Sequence, residues 1–218
     1  MLPKHGLEVN MPRWDVSEQG SVGWLKARLG CLTASRMGDA MAFTKKGVES
    51  EARRQLKYNI LAERLTDRAV DNIVTRAMEH GTENEPFARE RYEEVTGVLV
   101  RQCGLAHHDT IEYFGASPDG LVGADGLIEI KCPSSTKFIK WKLDGIVPEE
   151  HRPQMLAQMA VTQRSWCDFV AYDPRFPEAL QLWVIRYEPT ASEIQEVEYL
   201  ASSFLDEVEA MFDILVTA

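Results

Sequence analysis

The sequence predicts a mixed α/β fold with a central mixed sheet flanked by helices, and three observations carry that reading. Apolar residues recur at helical spacing across Glu49 to Thr66 and again across Ala191 to Leu215. Between them lie short runs with strand character, at Val98 to Cys103, Glu112 to Ala116 and Leu127 to Cys132. A helical stretch from Glu150 to Thr162 then separates those runs from two more, Phe169 to Tyr172 and Leu180 to Tyr187. Strands interrupted by a crossover helix and closed by a long helix indicate an α/β core.

Taken in order, Trp24 to Arg28 and Ala34 to Ala42 read as short helices, with Thr33 or Ser35 placed to start the second. Leu56, Ile60, Leu61 and Leu65 give Glu49 to Thr66 its buried face. Asn72 to Thr96 reads as one long helix or two in line, interrupted near Gly81. The three strand segments follow, then helices at Lys137 to Leu143 and Glu150 to Thr162, then the last two strands. The closing helix carries Ile194, Val197, Leu200, Phe204, Leu205, Val208 and Phe212 on one face, which is expected to pack on the chain's own core. No repeat, low-complexity run or Pro/Ser linker divides the sequence, so residues 1–218 read as a single domain.

The 218 residues, 44% hydrophobic and 27% charged, have ample material for a buried core. No apolar run approaches the ~20 residues of a membrane span, and the first residues lack the apolar core of a signal peptide. The expectation is a cytoplasmic protein without a membrane partner. Cys31, Cys103, Cys132 and Cys167 are scattered, with no Cys-x-x-Cys pair, and are expected to be reduced and packed. A net charge of −10 runs against the basic footprint of nucleic-acid binders. The charge is unevenly spread, however. Lys45-Lys46, Arg53-Arg54, Lys57, Arg64, Arg68 and Arg76 make one stretch basic, while acids concentrate from Glu188 to Glu209.

The chemistry is concentrated between residues 117 and 132. Ser117-Pro118-Asp119-Gly120 is a turn with a carboxylate on its rim, and Leu127 to Cys132 alternates as a half-buried strand should. Ile128 and Ile130 then face one way, Glu129 and Lys131 the other. Two carboxylates suit a hard divalent cation. An ammonium beside them can act on a water or neutralise charge on a phosphate. Glu-x-Lys alone is usually a solvated pair on an edge strand. Pro-Asp, nine intervening residues, Glu, one apolar residue and Lys is a far narrower pattern. Glu85 taken alone belongs to a charged helix face with Glu83, Glu90, Glu93 and Glu94. Gln154 and Gln158, one helical turn apart, read either as a polar helix boundary or as groups aimed at a site.

Pro118, Asp119, Glu129 and Lys131 occupy the four defining places of the PD-(D/E)xK nuclease signature. Further blocks widen the likeness: Glu18-Gln19-Gly20, Trp24, Arg28-Leu29-Gly30, Thr33-Ala34-Ser35, Gly81 with Glu85, Gln154, and Tyr172-Asp173-Pro174-Arg175. In these the chain resembles the phage lambda exonuclease family, the YqaJ-like viral recombinase branch of that superfamily. The resemblance implies a restriction-endonuclease-like core. It also implies a Mg²⁺-dependent exonuclease, with two ions and Mn²⁺ as a substitute, that digests one strand of linear duplex DNA processively from a 5′-phosphorylated end. Such enzymes form ring-shaped homotrimers and leave a 3′ overhang for a single-strand annealing protein of the same phage recombination system. Carried over by position, Asp119, Glu129, the Ile130 carbonyl and Glu85 would hold metal, Lys131 would orient or activate the attacking water, and Gln154 would assist. Arg28, Ser35 and Ser117 match the 5′-phosphate pocket, with Lys137 where the family has Arg. Lys45 and Arg76 would contact DNA, and Met78 stands where the family has its strand-splitting wedge. Other nucleases on the same scaffold, RecB-like or Cas4-like, and a non-catalytic DNA-end cap are the alternatives. Retention of Asp119, Glu129 and Lys131 together speaks against the cap.

Overall fold

The computed structural model describes residues 12–70 and 76–217. Two sheets organise the chain. The larger runs β3 (Val100–Arg101), β6 (Gly120–Val122), β7 (Gly126–Lys131), β8 (Trp166–Tyr172) and β9 (Leu182–Tyr187), in that spatial order. β7 and β8 are parallel and their other neighbours antiparallel. The parallel pair needs a crossover, supplied by α5 (Ser135–Asp144) and α6 (Arg152–Thr162). The smaller sheet has the order β1 (Arg13–Trp14), β4 (Ala106–His107), β5 (Phe114–Ala116) and β2 (Leu32–Thr33).

Helices cover both faces of the larger sheet. On one, Leu127, Phe169 and Ala171 pack with Phe138, Trp141, Met155 and Met159 of α5 and α6. On the other, Ile128, Ile130 and Val170 pack with Ala88 and Tyr92 of α4 (Arg76–Thr96). A third cluster joins the smaller sheet to α2 (Met37–Ala40), α3 (Glu51–Thr66), α6 and α7 (Ala191–Thr217) through Leu32, Met37, Ile60, Phe114, Phe204 and Val208. Helix α7 buries Val197, Ala201, Phe204, Leu205 and Val208, so its apolar face does pack on the chain's own core. The short α1 (Val22–Ala27) starts at Ser21, whose hydroxyl accepts from the Trp24 N–H.

Several sequence expectations change. β7 is an inner strand with both faces covered, so its alternation does not mark a solvent face. Helix α4 runs unbroken through Gly81 and also contains Pro86, whose missing N–H leaves the Thr82 carbonyl without its helical donor. The part of that expected helix at 72–75 lies outside the described residues. Ala34 to Ala42 is a 3-10 turn, Ala34–Arg36, followed by α2. The expected strand Val98 to Cys103 shrinks to β3, while β8 begins three residues before Phe169. β1, β2, β4 and β6 were not anticipated, because two or three residues are too few to show a period.

Candidate active site

The site forms at the end of β7, where the sheet meets α4 and α6. Asp119 sits on the bend between β5 and β6 and is tied to β7, the Ile130 N–H donating to its Oδ2 at 2.6 Å. The next residue, Gly120, lies close against Val100 and Ile128, where a Cβ would collide with the Val100 side chain and press on Ile128. Glu129 projects from β7 towards α6 and is fully buried. Gln158, also fully buried, donates from Nε2 to Glu129 Oε2 at 2.6 Å. Lys131, two residues along on the same face, places Nζ 2.5 Å from Glu129 Oε1 and 3.5 Å from Gln154 Oε1. Glu85 reaches in from α4 and accepts from Arg89 at 2.6 Å.

These groups wall a cavity of about 800 Å³, lined by Glu85, Asp119, Glu129, Ile130, Lys131 and Gln154 together with Arg76, Lys137, His151 and Arg175. A second cleft of about 570 Å³ adjoins it, lined by Gln19, Trp24, Thr82, Arg89 and Cys103. Thr82, Glu85 and Asp119 line both, so these two acids stand where the clefts meet.

The electrostatics match a cation site. Burial, then the Glu129 and Glu85 charges, push the Asp119 carboxyl well above the usual aspartate range. Burial also raises Glu85, against the pull of Arg89. Burial opposes the Lys131 ammonium, but Glu129 and Asp119 outweigh it and raise its pKa. Lys131 thus sits as an ammonium between the acids. Three acids gather here, Glu129 Oε1 paired with the Lys131 ammonium and Glu85 with Arg89. Among the described residues, no three acidic, histidine or cysteine groups close on one point as they stand. Each acid leans instead on an internal donor. An all-oxygen set of three clustered acids fits a hard divalent ion.

The structure also gathers Arg28, Ser35 and Ser117. Arg28 Nη1 is 3.4 Å from Ser117 Oγ, and Nη2 is 3.4 Å from both Ser35 Oγ and Thr33 Oγ1. The guanidinium lies 4.2 Å over the Trp24 ring, whose indole N–H donates to Ser117 Oγ at 2.9 Å. Burial, then the nearby Arg36, lower the Arg28 pKa to about 10, leaving a charged but poorly solvated group. Ser117 and Asp119 share one bend, which couples this cluster to the acids. Lys137 is not brought into it by any contact. Lys137 lines the acid cavity, 3.2 Å from Glu150 and over the Trp141 ring. Arg76 is exposed on the cavity rim, and Lys45 is exposed on the turn after Phe43, lining neither cleft. Met78 falls in the first turns of α4, with its side chain outside the described residues.

Residues 23–165 match the model of the YqaJ-like viral recombinase domain. The chain belongs to this family. An alkaline exonuclease from Laribacter hongkongensis, LHK-Exo, is 44% identical and superimposes with a TM-score of 0.83 over 90% of this chain and 97% of its own. Its complex with dAMP matches at 45% identity and 0.82, over 89% and 96%. A phage-related exonuclease from Haemophilus somnus 129PT, 13% identical, shares the fold at 0.62 over 86% of this chain and 95% of its own. An uncharacterized protein, R354 of Acanthamoeba polyphaga mimivirus, is 28% identical over 166 residues. That match covers 70% of this chain and 29% of the viral protein. The YqaJ-like chain is thus a close structural homologue of an alkaline exonuclease, with a PD-(D/E)xK-type core.

Trp24 and Thr33 stand in the sequence only within the family blocks or as a helix start. Gln158 is one of two amides that read either as a helix boundary or as aimed at a site, and its contact with Glu129 is not legible there. Its partner Glu129 is 29 residues away.

Proposed function

We propose that this YqaJ-like protein is a divalent-metal-dependent exonuclease. On this reading it digests one strand of linear duplex DNA from a 5′-phosphorylated end, releases mononucleotides and leaves a 3′ overhang. The observation that carries the reading is the buried Glu129 carboxylate, faced by Lys131 on its own strand and joined by Asp119 and Glu85 at the meeting of two clefts. Asp119, Glu129 and Glu85 would hold Mg²⁺, with the Ile130 carbonyl beside them, and Mn²⁺ could stand in. When bound, the ion would lower the pKa of a water and stabilise charge on the phosphate. Lys131, kept charged by its acids, orients the attacking water or steadies a phosphate oxygen. Gln154, in contact with Lys131, fixes where that ammonium points.

Arg28, Ser35, Ser117 and Thr33 would receive the terminal 5′-phosphate, since a desolvated guanidinium among hydroxyls matches a dianion. Each cut exposes a new 5′-phosphate, so the pocket can draw the strand forward by one nucleotide. Lys137 supplies a second charge from the acid cavity, and Arg76, Lys45 and Met78 would meet the duplex around it. The dAMP held by the Laribacter relative supports a nucleotide-sized product site. A homotrimeric ring would enclose the duplex, and the 3′ overhang would pass to a single-strand annealing protein in phage-type recombination. Work on DNA inside a bacterial cell would put the protein in the cytoplasm. Among the described residues no helix is long and apolar enough to cross a membrane.

Incubation with Mg²⁺ and duplexes that are linear with 5′-phosphate, linear with 5′-hydroxyl, or closed circles tests the reading. Loss of the 5′-phosphorylated strand with circles intact is expected. Cutting of circles would point to an endonuclease on the same scaffold. Arg28→Ala should slow single-turnover cleavage of phosphorylated ends roughly ten- to hundredfold, because charge-assisted bonds are lost. Its effect on 5′-hydroxyl ends should be much smaller. Equal slowing of both would remove the phosphate role.

A further inference from the structure

One polar side chain in the wall of the acid cavity has no part in the chemistry above. His151 is the residue immediately before α6, three positions ahead of Gln154. Its ring stacks on Phe169, with centroids 5.3 Å apart and planes at 27°, and meets Trp141 edge-on at 5.3 Å and 85°. Both partners are buried core residues, so the ring is clamped. Nε2 is buried with no hydrogen-bond partner. Nδ1 is the nitrogen left open, and His151 lines the cavity with Lys131, Lys137 and Gln154.

Burial, followed by the Lys131 charge, lowers the His151 pKa to about 4, so the imidazole is neutral at physiological pH and carries one N–H. An orphaned buried N–H is rarer in proteins than an under-used acceptor. That preference places the proton on Nδ1, on the cavity side. A fixed neutral donor, unpartnered within the protein, then faces a space bordered by Arg76, Lys131, Lys137 and Arg175. The acids Glu85, Asp119 and Glu129 line the same space, so a nucleic-acid phosphate would meet these cations while the acids take a metal ion.

We infer that His151 Nδ1–H is a substrate contact, donating to a phosphate oxygen of the DNA strand held in the acid cavity. The inference rests on the nuclease reading. Phosphate is the ligand chemistry that uses both the cations and a neutral donor, and the clamped ring holds the donor ready without reorganisation.

Three variants of the full chain separate this role from packing. His151→Phe keeps the aromatic clamp and removes both nitrogens. His151→Asn keeps an amide near the Nδ1 position, whereas His151→Gln offers one near Nε2. Single-turnover cleavage of a 5′-phosphorylated duplex is measured with Mg²⁺, and duplex affinity with Ca²⁺ in place of Mg²⁺. His151→Phe and His151→Gln should lose roughly ten- to hundredfold in cleavage, the range for a hydrogen bond to a charged group. Both should also bind duplex more weakly, while His151→Asn stays within about threefold of wild type on the same scale. Wild-type cleavage and affinity in His151→Phe would overturn the inference. So would His151→Asn as slow as His151→Phe, since the loss would then come from the ring and not from its donor. A wild-type chain that cuts no duplex would instead sink the nuclease reading itself.

Discussion

Glu129 on β7 and Asp168 on β8 are carboxylates sealed inside the same sheet, on its opposite faces. Asp168 is saturated. Its Oδ1 accepts from Arg186 Nε at 2.8 Å, and its Oδ2 accepts from the Tyr92 hydroxyl at 2.8 Å and Arg186 Nη2 at 2.9 Å. Trp166 covers the guanidinium at 3.5 Å. Glu129 receives one bond from Gln158, and its other oxygen pairs with the Lys131 ammonium at 2.5 Å on the wall of the acid cavity. Both acids are buried, so burial alone does not set them apart. What distinguishes them is the surroundings: Asp168 is closed off by Tyr92, Arg186 and Trp166, whereas Glu129 lines a cavity together with Asp119 and Glu85. Acids gathered on one cavity disfavour each other's charge, and a cation held among them would offset that.

The sharpest way to break this comparison is to neutralise each acid in turn. Glu129→Gln should abolish strand digestion, by at least about 10³-fold, while the protein keeps its melting temperature within a few degrees. Asp119→Asn should behave alike. If either retains near wild-type cleavage in purified form, the site is misassigned. Asp168→Ala should do the reverse. Removing one partner of a buried pair costs about 3–5 kcal/mol, and the lower end applies because Arg186 is about half exposed. Cleavage per folded molecule should survive, as denaturant melts and single-turnover rates on the same samples would show. A dead but stable Asp168→Ala protein would erase the contrast.

A smaller effect sharpens it. Gln158→Leu removes the amide donor to Glu129 while keeping bulk in the core. Groups that orient a metal ligand from behind are worth about 10–100-fold in metal affinity or activity. Gln158→Leu should therefore raise the Mg²⁺ concentration needed for half-maximal cleavage by about that factor. Saturating Mg²⁺ should restore most of the rate. A drop in rate that no Mg²⁺ concentration relieves would show that Gln158 acts on folding instead.

The same contrast explains what was legible in the sequence. Asp119, Glu129 and Lys131 lie within thirteen residues, on a bend and the β6–β7 hairpin that follows it, so a linear pattern carries them. The saturation of Asp168 depends on Tyr92, 76 residues away, and on Arg186 across an antiparallel pair. No local pattern records that. Arg28, Ser35 and Ser117 were legible only through family resemblance, since 89 residues separate Arg28 from Ser117. The long helices were read well because Leu56, Ile60 and Phe204 repeat at helical spacing. β1, β2 and β4, each two residues long, leave no period to read. The inner position of β7 was missed for a related reason: Glu129 and Lys131 look like a solvent face until α6 is seen to cover it.

Metal binding measured calorimetrically on the full chain, without DNA, tests the central claim most directly. Mn²⁺ is titrated into wild type, Glu129→Gln and Asp168→Asn under identical conditions. Wild type and Asp168→Asn should bind Mn²⁺ alike at the acid cavity, and Glu129→Gln should lose that binding. Unchanged Mn²⁺ binding by Glu129→Gln, or loss confined to Asp168→Asn, would contradict the account.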